Sequence, residues 1–125
     1  DTLTTVDFAA IMTDFEAGAA AAAMVCVERD VMIDFGVVEL DDRGFLRTIH
    51  EKPRIHHTVS TGINLLRGRT LRSLPEGRID MPDFLLSLVT SGEQVQCLVT
   101  DALWMDLGRP EDLVQANDMV ARGDL

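Results

Sequence analysis

The sequence is poor in the features that nucleic-acid and membrane binding require. Its 11 lysines and arginines stand against 21 aspartates and glutamates, and the resulting net charge of −10 would repel phosphate backbones and anionic lipid surfaces. No apolar run approaches the roughly 20 residues that span a bilayer, and no charged and then apolar leader precedes a small-residue cleavage site. We therefore expect no nucleic-acid or membrane partner, and a cytoplasmic protein.

Cysteine and the common catalytic motifs are also scarce. Cys26 and Cys97 lie in apolar, strand-like runs with no neighbouring Cys or His at metal-ligand spacing, which predicts two buried free thiols. The chain has no G-x-G-x-x-G, no phosphate loop of the G-x-x-x-x-G-K type, and no Ser, His and Asp set at a recognisable spacing. Nucleophilic catalysis therefore has no support in the sequence.

The length and apolar content predict a single domain, or a large piece of one. The chain has 125 residues and is 46% hydrophobic, which is enough to enclose one core of moderate size. Its first residue is Asp1 rather than Met, so we expect that the chain begins inside a longer protein or has been trimmed.

Helical periodicity predicts three amphipathic helices. The first is capped by Thr4 or Thr5 and ends at Gly18; the second is capped by Asp80, with Pro82 in its first turn, and ends at Gly92. A last helix opens with Pro110, Glu111 and Asp112 and ends near Gly123, and a short helical turn is predicted around Leu71 and Leu74.

Short apolar runs between these helices predict strands at residues 24–27, 35–40, 45–50, 61–66, 95–99 and 103–105. The second and third runs form a hairpin, because the intervening Asp41, Asp42, Arg43 and Gly44 are turn residues. Residues 54–58 and 75–78 are predicted to be surface loops. Strands and helices alternate along the whole chain, which predicts an α/β fold with a mixed sheet flanked by helices.

Individual clusters of polar residues give weak functional signals. Asp106 follows a strand and precedes Gly108, where either a ligand site or a plain turn is expected. Glu51 and Lys52 end another strand at Pro53, and most such pairs are merely solvated. The adjacent His56 and His57 lie in a polar segment and are predicted to be exposed, and Trp104 is predicted to belong to the core.

Taken in order, these clusters resemble the sugar-1-phosphate nucleotidylyltransferases, and most closely the group of mannose-1-phosphate guanylyltransferases and glucose-1-phosphate nucleotidylyltransferases. The resemblance runs from Asp1 to about Ala121. The segments are Phe35-Gly36-Val37-Val38, Glu51-Lys52-Pro53, Thr61-Gly62-Ile63, Asp80-Met81-Pro82-Asp83 and Trp104-Met105-Asp106-Leu107-Gly108. Their order and spacing are specific, although each motif alone would recur by chance.

The resemblance implies a nucleotide-diphospho-sugar transferase fold and a set of site residues. Asp1 and Asp106 would bind magnesium, and Lys52 and Asp106 would be catalytic. The sugar 1-phosphate would be bound by Gly36, Glu51, Lys52, Ser60 and Thr61. The reaction partners would be a sugar 1-phosphate and a nucleoside triphosphate.

The sequence departs from the family pattern in three places: Asp34-Phe35 replaces Pro-Tyr, Ser60 replaces Asn, and Asn64 replaces Tyr. The family's glycine-rich loop, with its Arg and Lys, has no counterpart here. Residues 1–125 are therefore predicted to be the C-terminal, sugar-phosphate-binding part of the domain, inactive alone and prone to self-association. The alternative is a non-catalytic binding or assembly module derived from the same fold.

Overall fold

A computed structural model describes residues 2–108 and 110–123 of the chain. The predicted metal ligand Asp1 lies outside the described residues. Contacts divide the chain into two compact units, which are described separately: a larger one formed by Asp1–Val27 and Ser60–Leu125, and a smaller one formed by Glu28–Val59.

Strands and helices intermix along the chain, as the sequence predicts. In chain order the elements are β1 (Thr2–Thr4), α1 (Phe8–Ala17), β2 (Ala22–Met32), β3 (Val37–Leu40), β4 (Leu46–His50), β5 (Arg54–Leu66), α2 (Gly68–Leu71), α3 (Met81–Thr90), β6 (Val95–Thr100), β7 (Trp104–Asp106) and α4 (Pro110–Arg122). None of the described helices is both long and apolar enough to cross a membrane.

The core of the larger unit is built around β2. This strand lies between β5 and β6 and is parallel to β6, with Ala22 opposite Val95 and Val27 opposite Thr100. Its first residues are a continuous apolar run, as expected for a strand covered on both faces. Val25 packs with Phe15 of α1, while Ala22 packs with residues of α3. The prediction of a mixed sheet flanked by helices is thereby confirmed.

Helix α1 is capped by a different residue from the predicted threonines. Asp7 is the N-cap, and its Oδ1 accepts hydrogen bonds from the backbone amides of Ala9 and Ala10, each at 3.0 Å. Thr4 belongs to β1, where its hydroxyl donates to the carbonyl of Leu103 at 2.7 Å. Thr and Asp are both favourable N-cap residues, but Thr4 takes part in the pairing of β1, and Asp7 caps the helix instead.

The C-terminal end of α1 is held by Arg67, at the end of β5. The guanidinium donates to the carbonyls of Ala20 at 2.7 Å and Phe15 at 3.1 Å, and also to that of Gly18. It also lies over the Phe15 ring, 5.0 Å from the centroid. Carbonyls at a helix end lack helical partners, so a cation with several donors satisfies both their hydrogen bonding and the helix dipole.

The smaller unit contains the predicted hairpin. Strands β3 and β4 are antiparallel, with Val38 opposite Ile49 and Leu40 opposite Leu46. The backbone of Gly44 has a φ of 84°, which suits the turn. The four apolar side chains of these pairs are each more than half exposed.

Three further expectations from the sequence were wrong, wholly or in part. Residues 54–58 are not a loop but the start of β5, because their side chains pair across to the second half of β2, which continues beyond Val27 to Met32. Cys97 is exposed on β6, whereas Cys26 is buried as predicted, and neither of these residues forms a disulfide bond. Asp80 precedes α3 as predicted, but its side chain makes no capping hydrogen bond.

Candidate functional site

Gly36 and Glu51, both predicted to contact the sugar, are neighbours in the smaller unit. A Cβ atom added to Gly36 would lie 3.1 Å from Oε2 of Glu51 and 3.4 Å from Cδ1 of Ile49. The missing side chain therefore makes room for the carboxylate beside the backbone. Both Gly36 and Glu51 are exposed, so this carboxylate is open to a ligand.

Lys52 turns the chain between β4 and β5. Its φ is 44°, and it is the sole non-glycine residue with a positive φ in the described part of the chain. Adjacent residues of a regular strand point to opposite faces, whereas a residue in the left-handed region breaks that alternation. The sequence left open how Glu51 and Lys52 could share one ligand, and this bend removes the constraint of strand alternation. A non-glycine residue in this conformation is strained, and such strain concentrates at functional sites.

Ser60 and Thr61 differ in what they offer a substrate. Ser60 is exposed, and its hydroxyl accepts a hydrogen bond from the amide of Gly62 at 3.3 Å. Thr61 is buried, and its hydroxyl donates to the carbonyl of Val25 at 2.9 Å. Its own carbonyl accepts from Nε1 of Trp104 at 3.0 Å, which ties β5 to β7. The Thr61 side chain therefore serves the fold, and Ser60 presents the accessible hydroxyl of the pair.

Asp106 ends β7, with its backbone opposite Thr2 in the antiparallel pair of β1 and β7. It is exposed, and a Cβ atom added to Gly108 would lie 3.5 Å from both of its carboxylate oxygens. Gly108 thus leaves space on one side of this carboxylate. Magnesium takes one or two protein carboxylates together with substrate phosphates, so an open carboxylate at this position fits it. Within residues 2–108 and 110–123, no group of three or more His, Cys, Asp or Glu side chains is arranged so that it could hold a metal ion.

The predicted site residues therefore form two local sets. Gly36, Glu51 and Lys52 lie in the smaller unit, and Ser60, Thr61 and Asp106 lie in the larger one. Clefts of about 450, 320 and 300 Å³ in the larger unit are lined by other residues, which belong to α1, α2, α3, β6 and the loops beside them.

A cluster of charged residues in the smaller unit was missed. His56 of β5 contacts Glu28 and Asp30 of β2, and Arg54 also reaches Asp30. The signal was present in the alternation of Arg54, His56 and Thr58, which is typical of one face of a strand. Assigning residues 54–58 to a loop concealed it.

Comparisons with known proteins identify the family of the chain. The model of the family described as "Nucleotidyl transferase" matches residues 1–123. The low-salt glycan biosynthesis nucleotidyltransferase Agl11 of Haloferax volcanii is 25% identical over 88% of this chain and 33% of its own length. The UTP–glucose-1-phosphate uridylyltransferase of Synechocystis sp. is 32% identical over 81% of this chain and 28% of its own.

The fold has clear counterparts among solved structures. The crystal structure of HddC from Yersinia pseudotuberculosis matches 96% of this chain and 52% of that chain, with a TM-score of 0.63 and 20% sequence identity. This likeness shows that the fold is that of the nucleotide-sugar transferases. The chain spans about a third of the length of the curated relatives that it matches.

Proposed function

Because the chain belongs to the nucleotidyl transferase family, we propose that it is the sugar-phosphate-binding part of a sugar-1-phosphate nucleotidylyltransferase. The observation on which this rests is the family match across residues 1–123, which contains every predicted site residue. The full protein would make a nucleoside-diphosphate sugar.

In this reaction an oxygen of the sugar 1-phosphate attacks the α-phosphorus of a nucleoside triphosphate. A new P–O bond forms to the α-phosphorus, the bond from that phosphorus to the bridging oxygen of the β-phosphate breaks, and pyrophosphate leaves with the bond's electron pair. Both reactants are anionic, so the protein must neutralise charge and hold them in line.

The smaller unit supplies groups suited to the sugar phosphate. The Lys52 ammonium is a compact charge that would hold the attacking phosphate, and the Glu51 carboxylate would accept hydrogen bonds from sugar hydroxyls. Gly36 leaves room for that carboxylate, because a Cβ atom at this position would lie only 3.1 Å from Oε2 of Glu51. Ser60 would add a hydroxyl from the larger unit, and Thr61 would support this segment through its hydrogen bonds to Val25 and Trp104.

Magnesium, when bound, would supply charge neutralisation at the phosphate oxygens. Asp106 would hold it, together with Asp1. Asp1 directly precedes Thr2 in sequence, and the backbone of Thr2 lies opposite Asp106.

The nucleotide site belongs, in this proposal, to a part of the enzyme outside these 125 residues. The sequence has no glycine-rich loop with the Arg and Lys that bind a triphosphate in the family. The three-stranded sheet of the larger unit has the strand order β5-β2-β6. Strands β5 and β6 therefore each have one side without a neighbouring strand among the described residues. Unpaired strand edges and exposed apolar side chains favour association.

We expect the isolated chain to show no turnover and to self-associate. The test combines sizing by light scattering with a pyrophosphate-release assay across several triphosphates and sugar phosphates. Turnover by the isolated chain would show that the nucleotide site lies within these residues. A stable monomer would contradict the placement of the missing strands beside this sheet.

The second candidate is a non-catalytic binding or assembly module of this fold. One observation favours this candidate: the hairpin has an exposed apolar face, and such a surface suits contacts with another protein. The face is formed by Val38, Leu40, Leu46 and Ile49. Pyrophosphate release by the full-length protein would exclude this candidate.

A further inference from the structure

His56 lies between two carboxylates of the neighbouring strand. Its Nδ1 is 2.8 Å from Oδ1 of Asp30, and its Nε2 contacts Oε2 of Glu28. The Thr58 hydroxyl donates to Glu28 at 3.0 Å, and Arg54 reaches the second oxygen of Asp30 at 3.4 Å. The imidazole thus joins β5 to two residues of β2 from one position.

Both of these contacts require the charged form of the ring. An ionised carboxylate accepts hydrogen bonds but donates none, and a neutral imidazole has a single N–H. A neutral His56 can therefore hold either Glu28 or Asp30, whereas the imidazolium holds both. Loss of one proton from the ring therefore breaks one of the two connections that His56 makes to β2.

This connection lies close to the bend that contains Lys52. The amide of Ile33, just after β2, donates to the carbonyl of Pro53 at 3.1 Å, which anchors the bend to the end of β2. His56 follows Pro53 by three residues, or about 10 Å along an extended strand. Pairing at His56 therefore stabilises the same two-stranded segment that holds the backbone of Lys52 in its strained conformation.

We propose that protonated His56 is a positioning residue that clamps β2 to β5 and thereby makes sugar-phosphate binding at Lys52 dependent on pH. This inference rests on the proposed function of Lys52. His56 itself does not contact the substrate and acts through the backbone on which Lys52 is held.

The direction of the pH effect follows from the groups that face the ring. The pKa of His56 is raised above 6.5, first by the hydrogen bond with Asp30 and then by the charge of Glu28. The pKa of Asp30 is lowered below 3.8, chiefly by the hydrogen bond with His56. The clamp is therefore complete below pH 6.5 and is lost as the pH rises through the raised pKa of His56. At the acid end the contact between His56 and Asp30 persists until the pH falls toward the lowered pKa of Asp30.

The clamp can be tested without a substrate. Hydrogen–deuterium exchange at the imidazole C2 position, read by mass spectrometry, reports each histidine pKa whatever the size of the protein particle. We expect the pKa of His56 to fall in Glu28→Gln and in Asp30→Asn, with that of His57 unchanged. His57 is a matched internal control because it is also exposed. An unaltered His56 pKa in both variants would overturn the clamp.

The positioning role is tested by measuring the affinity for sugar 1-phosphates as a function of pH. Ligand-observed NMR with glucose 1-phosphate and mannose 1-phosphate gives the Kd of the 125-residue chain from about pH 5.5 to about pH 8.5. His56→Arg keeps a cation at every pH, so the ratio of wild-type Kd to this variant's Kd should rise about two- to fivefold across that range, the size typical of exposed ion pairs. The ionisation of the phosphate, near pH 6, cancels in this ratio.

Two further variants complete the test. His56→Gln should bind the sugar 1-phosphates weakly, and the ratio of its Kd to that of His56→Arg should not rise with pH. The Kd of His57→Gln should follow that of the wild type at every pH. A wild-type profile in His56→Gln would overturn the positioning role. Absence of sugar-phosphate binding in every protein would overturn the proposed function and the positioning role together, while the exchange experiment would still decide whether the clamp exists.

Discussion

Replacing Lys52 with alanine should lower kcat/KM of the full-length enzyme for the sugar 1-phosphate by tenfold to more than a hundredfold. A hydrogen bond to a charged group contributes about 1.5–3 kcal/mol, and about 1.4 kcal/mol corresponds to a factor of ten in rate. The fold should survive, because the Lys52 side chain is exposed. Steady-state pyrophosphate release as a function of sugar-phosphate concentration measures the effect.

The backbone of Lys52 provides a control for this substitution. Since its φ is 44°, Lys52→Gly removes the ammonium and also relieves the strain, whereas Lys52→Ala keeps the strain. Equal kinetic losses in the two variants, with higher stability for the glycine variant, would assign the effect to the charge. Arg43→Ala removes an exposed cation from the hairpin loop of the same unit and should leave the kinetics unchanged. Unaltered kinetics in Lys52→Ala would remove this residue from the site.

Asp106→Asn should be the most damaging substitution, lowering kcat by about a hundredfold or more, comparable with the loss of a key electrostatic group. The change keeps the size of the side chain but removes the negative charge that a divalent cation requires. The half-saturating magnesium concentration should rise in the same variant, and pyrophosphate release across a magnesium series measures both quantities.

Asp101→Asn is the matched control for Asp106. Asp101 is also an exposed aspartate, and it lies just before β7, so the two variants change the net charge equally within six residues of sequence. It should retain the wild-type magnesium dependence. A magnesium dependence of Asp106→Asn equal to that of the wild type would contradict the assignment of Asp106 as a metal ligand.

Local signals in the sequence predicted much of the fold. The hairpin follows from turn residues between two β-rich runs, and Gly44 adopts the positive φ expected of it. The second helix begins after Asp80 with Pro82 in its first turn, as predicted. These elements depend on interactions within about ten residues, so a single sequence contains the information.

Long-range pairing explains the errors. Thr4 could have capped α1, but it pairs with Leu103 across 99 positions, and Asp7 becomes the cap. Residues 54–58 are mostly polar, and their pairing with β2 makes them a strand. Strand propensity depends on neighbours that are remote in sequence, so the local alternation alone was a weak guide to these assignments.

The candidate site was predictable as a set of residues but not as a geometry. The motif order named Gly36 and Glu51, and the structure makes them neighbours, since a Cβ atom added to Gly36 would lie 3.1 Å from Oε2 of Glu51. The motif order could not give the backbone conformation of Lys52. That conformation breaks the alternation by which adjacent strand residues face opposite sides, so Glu51 and Lys52 can share one ligand. The motif order also gave no sign that the Thr61 hydroxyl is hydrogen-bonded to the carbonyl of Val25 while Ser60 stays exposed.

The central claim is that these 125 residues bind the sugar phosphate and lack the nucleotide site. Ligand-observed NMR on the chain, with sugar 1-phosphates and nucleoside triphosphates tested separately in magnesium, measures both affinities. We expect weak sugar-phosphate binding, with a Kd on the order of 1 mM or about 4 kcal/mol, that Lys52→Ala abolishes, and no comparable binding of any triphosphate. Binding of a triphosphate without binding of any sugar phosphate would contradict this account.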